Sequence, residues 1–306
     1  MIMNVAAAAV RPLATQAALK AAGPSGLLFS AGVVGGVNLV GYAITTTLQT
    51  HKITDLFGAG AFVASAAACA WWSGSFRAGG LRPLLLNLAV GLWGTRLAGF
   101  LFVRINKTGE DARLARFFPE EGEGWLDKKR SNFPVSLAGF WTIQAAWAWV
   151  VSLPVTMANF AAGSGGVRAP LGPLGWASLA LFGVGFLTEA VADWQASYRF
   201  KNDPANKGRF CGEGLWSLCR HPNYLGELTV WWALLGASFP LLRGPTQLAL
   251  GLLSPVFITA LITQVSGIPI LERSHQKRYG DDPTYKAYRA STPLLVPRVR
   301  DIIFPW

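Results

Sequence analysis

The sequence predicts an all-α, polytopic helical membrane protein with about seven transmembrane helices, and two observations carry that prediction. Of the 306 residues, 52% are hydrophobic and only 14% charged, with a mean hydropathy of +0.35. The apolar residues also cluster in windows of roughly 20, the length at which a helix crosses a hydrocarbon core. The 34 glycines and 18 prolines would break up a soluble helical protein. In membrane helices both are more frequent, because backbones approach closely there and kinks are tolerated.

The elements follow in order. Residues 1–26 form an N-terminal tail with Arg11 and Lys20 but no acid, and the first acidic residue of the chain is Asp55. That composition suits a plastid or mitochondrial targeting segment as well as an ordinary amphipathic tail. Apolar spans then run over 27–48, 57–76, 83–103, 134–157, 171–192, 223–242 and 246–271. The second is the weakest, being rich in Ala and Gly and ending at Arg77. No repeat or low-complexity linker interrupts the chain, so 27–306 is expected to be a single transmembrane domain with a cofactor cavity built from its C-terminal helices and basic loops.

Charge is distributed asymmetrically. Of the 27 Lys and Arg, 20 fall at Lys52, Arg104 to Arg130, Arg199 to Arg220 and Arg273 to Arg300, all on one side of the expected membrane, and six fall on the other. By the positive-inside rule the basic face looks toward the cytosol, or toward stroma or matrix in an organelle. This leaves endoplasmic reticulum, plastid and mitochondrion open. The net charge of +11 is therefore read as topology and attraction to anionic lipid rather than nucleic-acid binding. Cys69, Cys211 and Cys219 form no disulfide framework and have no metal-type spacing with His51, His221 and His275, so no metal is expected.

The least lipid-like stretch runs from Asp193 to Trp232. Glu189 and Asp193 are four residues apart, on one helix face. Gln195, Arg199, Lys201, Asn202, Asn206, Lys207 and Arg209 follow, a set able to donate hydrogen bonds to a nucleotide phosphate. Gly212 and Gly214 permit a tight turn. Arg220, His221, Asn223 and Tyr224 then crowd the start of the sixth span, with Pro222 suited to a helix start, whose free N–H groups also favour an anion. Glu227 carries a carboxyl into that span, and an ionisable group there is costly enough to suggest function. Pairing with Arg96 of the third span is the other account of Glu227, and lipid-headgroup contact the other account of the loop.

The runs EAVADWQASYRFKNDPANKGRF and GLWSLCRHPNYLGELTVWW, with TDLFG from Thr54, RLAGFLFVRINKTGEDAR from Arg96 and FWTIQ from Phe140, resemble the steroid 5-alpha-reductase-like membrane proteins. The resemblance covers most of the chain beyond residue 50. It implies NADPH-dependent reduction of a carbon–carbon double bond, of the enone type, in a hydrophobic lipid or steroid-like substrate reached from the bilayer. It also implies cofactor-facing roles for Asp193, Asn223, Tyr224, Glu272, Tyr279 and Tyr288 beside the basic residues above, a catalytic role for Glu227, and substrate contact for Trp231. Arg104, Glu110, Asp111 and Arg113 match a further family motif.

The implied chemistry suits a carboxyl at Glu227. Hydride arriving at the β-carbon of an enone makes an enolate, and a donor must meet the oxygen as charge develops. A carboxyl in apolar surroundings resists ionisation and can donate. Tyr42, the one tyrosine before Tyr198, does not align with the tyrosine that assists in steroid reductases. Two alternatives stand beside this reading. One is an S-adenosylmethionine-dependent methyltransferase of the isoprenylcysteine carboxyl methyltransferase type, disfavoured because that cofactor lacks the phosphates the basic loop suits. The other is a non-catalytic, reductase-like subunit of a membrane complex.

Overall fold

The structure is a computed structural model that describes residues 24–109, 112–119, 124–127, 131–163 and 166–298. The expected tail up to residue 23 and the motif residues Glu110 and Asp111, with the Arg113 side chain, lie outside the described residues. The described residues contain helices α1 (Pro24–Leu48), α2 (Thr54–Ser73), α3 (Ser75–Ala78), α4 (Leu81–Thr108), α5 (Ala112–Ala115) and α6 (Val135–Ala162). After these come α7 (Pro173–Trp194), α8 (Leu215–Leu218), α9 (Pro222–Ser238), α10 (Gly244–Ala260), α11 (Ile268–Tyr279) and α12 (Pro283–Ser291), and no strand is present among the described residues. The protein is a multi-pass helical membrane protein.

Six of these helices are long and apolar enough to cross a bilayer: α1, α2, α4, α6, α7 and the segment that begins with α10. The expected sixth span is the one that falls short. It was placed over 223–242, but α9 ends at Ser238 because Pro240 has no N–H to continue the ladder and the chain tightens into a 3₁₀ turn over Phe239–Leu241. Its 17 residues reach only about 26 Å at 1.5 Å per residue. The segment read as weakest, α2, qualifies with a mean hydropathy of 1.4. Its Ala and Gly are an adaptation to close packing: Gly94 of α4 lies against Val63 and the Ala59 carbonyl.

The chain, expected as one domain, is built as two compact units. The first comprises residues up to Gly175 with Ala237–Ser254, and the second Trp176–Gly236 with Pro255–Trp306. In the first unit, α2 packs on α1, α4 and α6. Phe62 is fully buried edge-on to Trp93 and Trp147, with centroids 5.2 and 5.0 Å away. Asn159 joins Asn87 and Ser75 in a buried amide cluster (2.7, 3.0 and 2.8 Å). Arg82, counted above among the loop charges, is 3% exposed and donates to the carbonyls of Ala169, Pro170 and Ala237 at 3.0, 2.6 and 2.7 Å.

In the second unit, α7 and α9 meet backbone to backbone. A Cβ added at Gly226 would lie 2.5 Å from the Glu189 nitrogen and 2.6 Å from the Gly185 carbonyl, and one at Gly236 would lie 2.6 Å from Ser178 Oγ. Glycine at these positions is what lets two apolar helices touch without side chains between them. This close approach holds Glu189 beside the first turns of α9.

Candidate functional site

Two helix ends in the second unit depart from ordinary α-helix. Beyond Trp194, α7 widens into a π-helical stretch, Gln195–Phe200, and α10 does the same over Leu261–Val265. Such insertions are rare outside functional sites. The first brings Gln195 round so that its Oε1 accepts from Leu215 N at 3.0 Å, capping α8, while Trp216 Nε1 donates to the Ala192 carbonyl at 3.0 Å. Gly214, at φ 60°, is left-handed here, and any Cβ would collide with the Gln195 side chain. Gln195, grouped by sequence with the anion donors, is thus a structural cap.

The loop between divides into braces and exposed cations. Asp203 Oδ1 accepts from Ala205 N at 2.9 Å, and Asn206 Nδ2 donates to the Phe200 carbonyl at 3.2 Å. Asn206, one of the expected cofactor residues, therefore has its amide committed to the loop. Arg199, Lys201, Lys207 and Arg209 are exposed. Phe210 then enters an aromatic cluster with Tyr279, Tyr285 and Tyr288 at centroid distances of 5.9, 5.1 and 5.0 Å. His275 lies half-buried against Tyr279 and Tyr285.

The cluster fastens α11 and α12 to the loop. Tyr279 donates to the Arg209 carbonyl at 3.2 Å and Tyr288 to the Trp216 carbonyl at 2.6 Å. Burial pushes the Tyr288 phenol up, keeping it a neutral donor. The two tyrosines expected at the nucleotide spend their hydroxyls on backbone.

At the start of α9, sequence-distant acids arrange the expected residues. Glu272 of α11 accepts from Arg220 Nη1 at 2.5 Å and lies 2.9 Å from His221 Nε2, with Arg289 Nε at 3.6 Å. His221 is fully buried. The carboxylate at Nε2 leaves Nδ1 to face elsewhere, and Nδ1 has no protein partner. Asp193 of α7, 7% exposed, receives Asn223 Nδ2 at 3.4 Å, which turns Asn223 Oδ1, also buried and unpartnered, away from it. Arg220 Nε is the third such atom. Tyr224 stacks near His221, centroids 5.8 Å apart, and its ring packs on Gly267, where the chain turns at φ 54°. Glu227 is half-buried one turn further along α9, and Trp231 is fully buried one turn beyond that.

The structure thus brings Asp193, Arg220, His221, Asn223, Tyr224 and Glu272 together around one helix start, with Glu227 on the same helix. Arg199, Lys201 and Lys207 stand on the loop, Asn206 braces it, and Tyr279 and Tyr288 hold the tail against it. Arg289 was not anticipated. Its contact with Glu272 joins residues 17 apart on different helices, which no local spacing announces.

Charge balance at the site differs from the sequence expectation. Arg220 and His221 read as anion donors, but both face the Glu272 carboxylate, so the positive charge open to a ligand is concentrated on the loop cations. No curated protein and no solved structure matches the chain. Residues 41–292 match the family described as a protein of unknown function, DUF1295, and since that match runs from within α1 to the end of α12 and covers most of the chain, the chain belongs to that family.

Proposed function

We propose that the second unit binds NADPH at the basic loop and the start of α9, and that the protein reduces an enone-type double bond in a hydrophobic molecule from the bilayer. The observation that carries this reading is the trio of buried, unpartnered polar atoms, Arg220 Nε, His221 Nδ1 and Asn223 Oδ1, on side chains otherwise fixed by Glu272 and Asp193. Leaving a buried polar group unpaired costs about 1–3 kcal/mol. Three within four residues fit a ligand offering both donors and acceptors. Arg199, Lys201, Lys207 and Arg209 fit its phosphates. The sequence resemblance to the steroid 5-alpha-reductase-like proteins supports the same assignment.

When bound, the reduced nicotinamide supplies the hydride that adds to the β-carbon. The remaining work belongs to the chain. Asp193 sets the amide of Asn223, and Glu272 sets Arg220 and His221. Glu227, within the apolar helix, donates a hydrogen bond to the enolate oxygen as charge develops there, and a proton delivered from solvent to the α-carbon gives the saturated carbonyl product. The basic loop is assigned to the cytosol, stroma or matrix, where NADPH is supplied.

One observation favours a second reading. Because Glu272 pairs with Arg220 and takes up His221 Nε2, the helix start is less anion-selective than its composition suggests. A cofactor without phosphates, S-adenosylmethionine, would fit that part of the site, though not the loop.

The test is enone-dependent NADPH oxidation by reconstituted protein, wild type against Glu227→Gln. Loss of about 10²-fold or more in rate with NADPH affinity retained supports the assignment. An unchanged rate removes Glu227 from the chemistry, and cofactor binding without turnover of any enone lipid favours a non-catalytic subunit.

A further inference from the structure

Several helical threonines in this protein return their hydroxyl to their own helix. Thr142, Thr188, Thr229, Thr259 and Thr263 donate to the carbonyl four residues earlier, at 2.5–2.9 Å. Thr45 of α1 and Thr54 at the start of α2 do not. They are 0% and 1% exposed, and neither Oγ1 has a protein partner. Trp141 of α6, 3% exposed, is in the same condition at Nε1.

All three border one junction of the first unit. The Trp141 ring lies so close to Gly41 that a Cβ there would overlap it, and Thr45 follows Gly41 by one turn on the same face. Trp141 meets Phe57 edge-on with centroids 6.2 Å apart, and Thr54 precedes Phe57 by a turn. Gln144, the polar neighbour, bonds none of these three side-chain atoms. Its Nε2 is committed to Asn38 Oδ1 at 3.0 Å and to the Thr54 carbonyl at 3.4 Å.

We propose that Thr45, Thr54 and Trp141 together hold one neutral oxygen, that of an ordered water or of a hydroxyl or carbonyl on an apolar molecule from the bilayer. Two hydroxyls and an indole N–H present donors without charge, which suits a neutral acceptor. An anion would be desolvated there with no cation among the three groups to balance it, and a metal ion would need several oxygen ligands. Two to four polar partners are what a buried water requires. The site is independent of the NADPH reading, since its residues lie in the other unit.

The sign of a mutational effect decides it. Valine matches threonine in shape and differs by the hydroxyl. If the hydroxyls are truly unpartnered, Thr45→Val and Thr54→Val remove a buried polar group and raise the melting temperature. If they bind an oxygen, each lowers it by about 2–4 °C, and the double variant loses less than the sum because both act on one bound atom. Thr142→Val, whose hydroxyl bonds its own helix, calibrates the generic effect, and Trp141→Phe extends the coupling where it folds. Stabilisation by the valines, or strict additivity, overturns the proposal. Coupling that survives exhaustive delipidation identifies water. Coupling lost on delipidation and restored by the extracted neutral lipids identifies the second source.

Discussion

Glu272 serves Arg220, His221 and Arg289 with one carboxylate, and its removal has a calculable consequence. Breaking one side of a buried ion pair costs about 3–5 kcal/mol. Arg220 and Glu272 keep 14% and 15% exposure, so Glu272→Gln is expected to cost about 2 kcal/mol after water screening, read as a melting temperature several degrees lower. The Arg220→Met/Glu272→Met pair should recover part of that loss. Cys219 offers a chemical check: burial pushes its thiol up to about 11, so at pH 7.5 the native protein should resist iodoacetamide at this position and react there only on unfolding. Asp282 gives a pH check. Its hydrogen bonds from Thr284 Oγ1 and N hold the carboxyl below the usual aspartate value. A lowered folded value means the stabilisation is present above the ordinary aspartate pKa and lost as pH falls through the folded one. Amide protection of α12, corrected for intrinsic rates, should therefore be flat from pH 7 to 5 and fall in stronger acid. At this scale the site was half legible. Asp193, Asn223 and Glu227 announced themselves as polar residues at helical spacing in an apolar context. The hub role of Glu272 did not, because its partners come from the turn before α9 and from α12, distant in sequence.

Among the elements, the contact between α7 and α9 depends on glycine. Gly226→Ala must push against the backbone of Glu189 and Gly185, and overpacking of this kind costs about 1–3 kcal/mol. Gly183→Ala, on the same helix α7 but with nothing within 4 Å, is expected to be neutral or stabilising through helix propensity. Equal melting temperatures for the two variants would contradict the packing described. Hydropathy located every long helix, because a period-free apolar run is all that a lipid-facing helix needs to display. It misjudged where α9 ends, since Pro240 sits in a run that stays apolar past the helix. It also could not see the π-helical stretches or the continuation through α11, because i→i+5 pairing leaves no compositional mark. Glu272, expected in a tail, consequently stands on a helix.

For the molecule as a whole, the orientation proposed from the sequence, in which α9 crosses together with its 3₁₀ turn, places Lys207 and Lys286 on one side of the membrane and Arg168 and Arg243 on the other. In a background with the native cysteines removed, single cysteines at the first pair should share one labelling pattern toward an impermeant maleimide in sealed vesicles, and those at the second pair the opposite one. A shared pattern for all four would reject the topology. The membrane class was legible from sequence because it is a long-range average of composition. The division into two units was not, since each is assembled from discontinuous stretches of chain. The central claim is the NADPH site at the start of α9. Its most direct test is equilibrium binding of NADPH and of S-adenosylmethionine to detergent-purified protein, wild type beside Asn223→Asp and Arg220→Ala. The account predicts saturable NADPH binding weakened about tenfold or more by either substitution, the loss of roughly one charge-assisted hydrogen bond. Binding of S-adenosylmethionine alone, or NADPH binding indifferent to both substitutions, would contradict it.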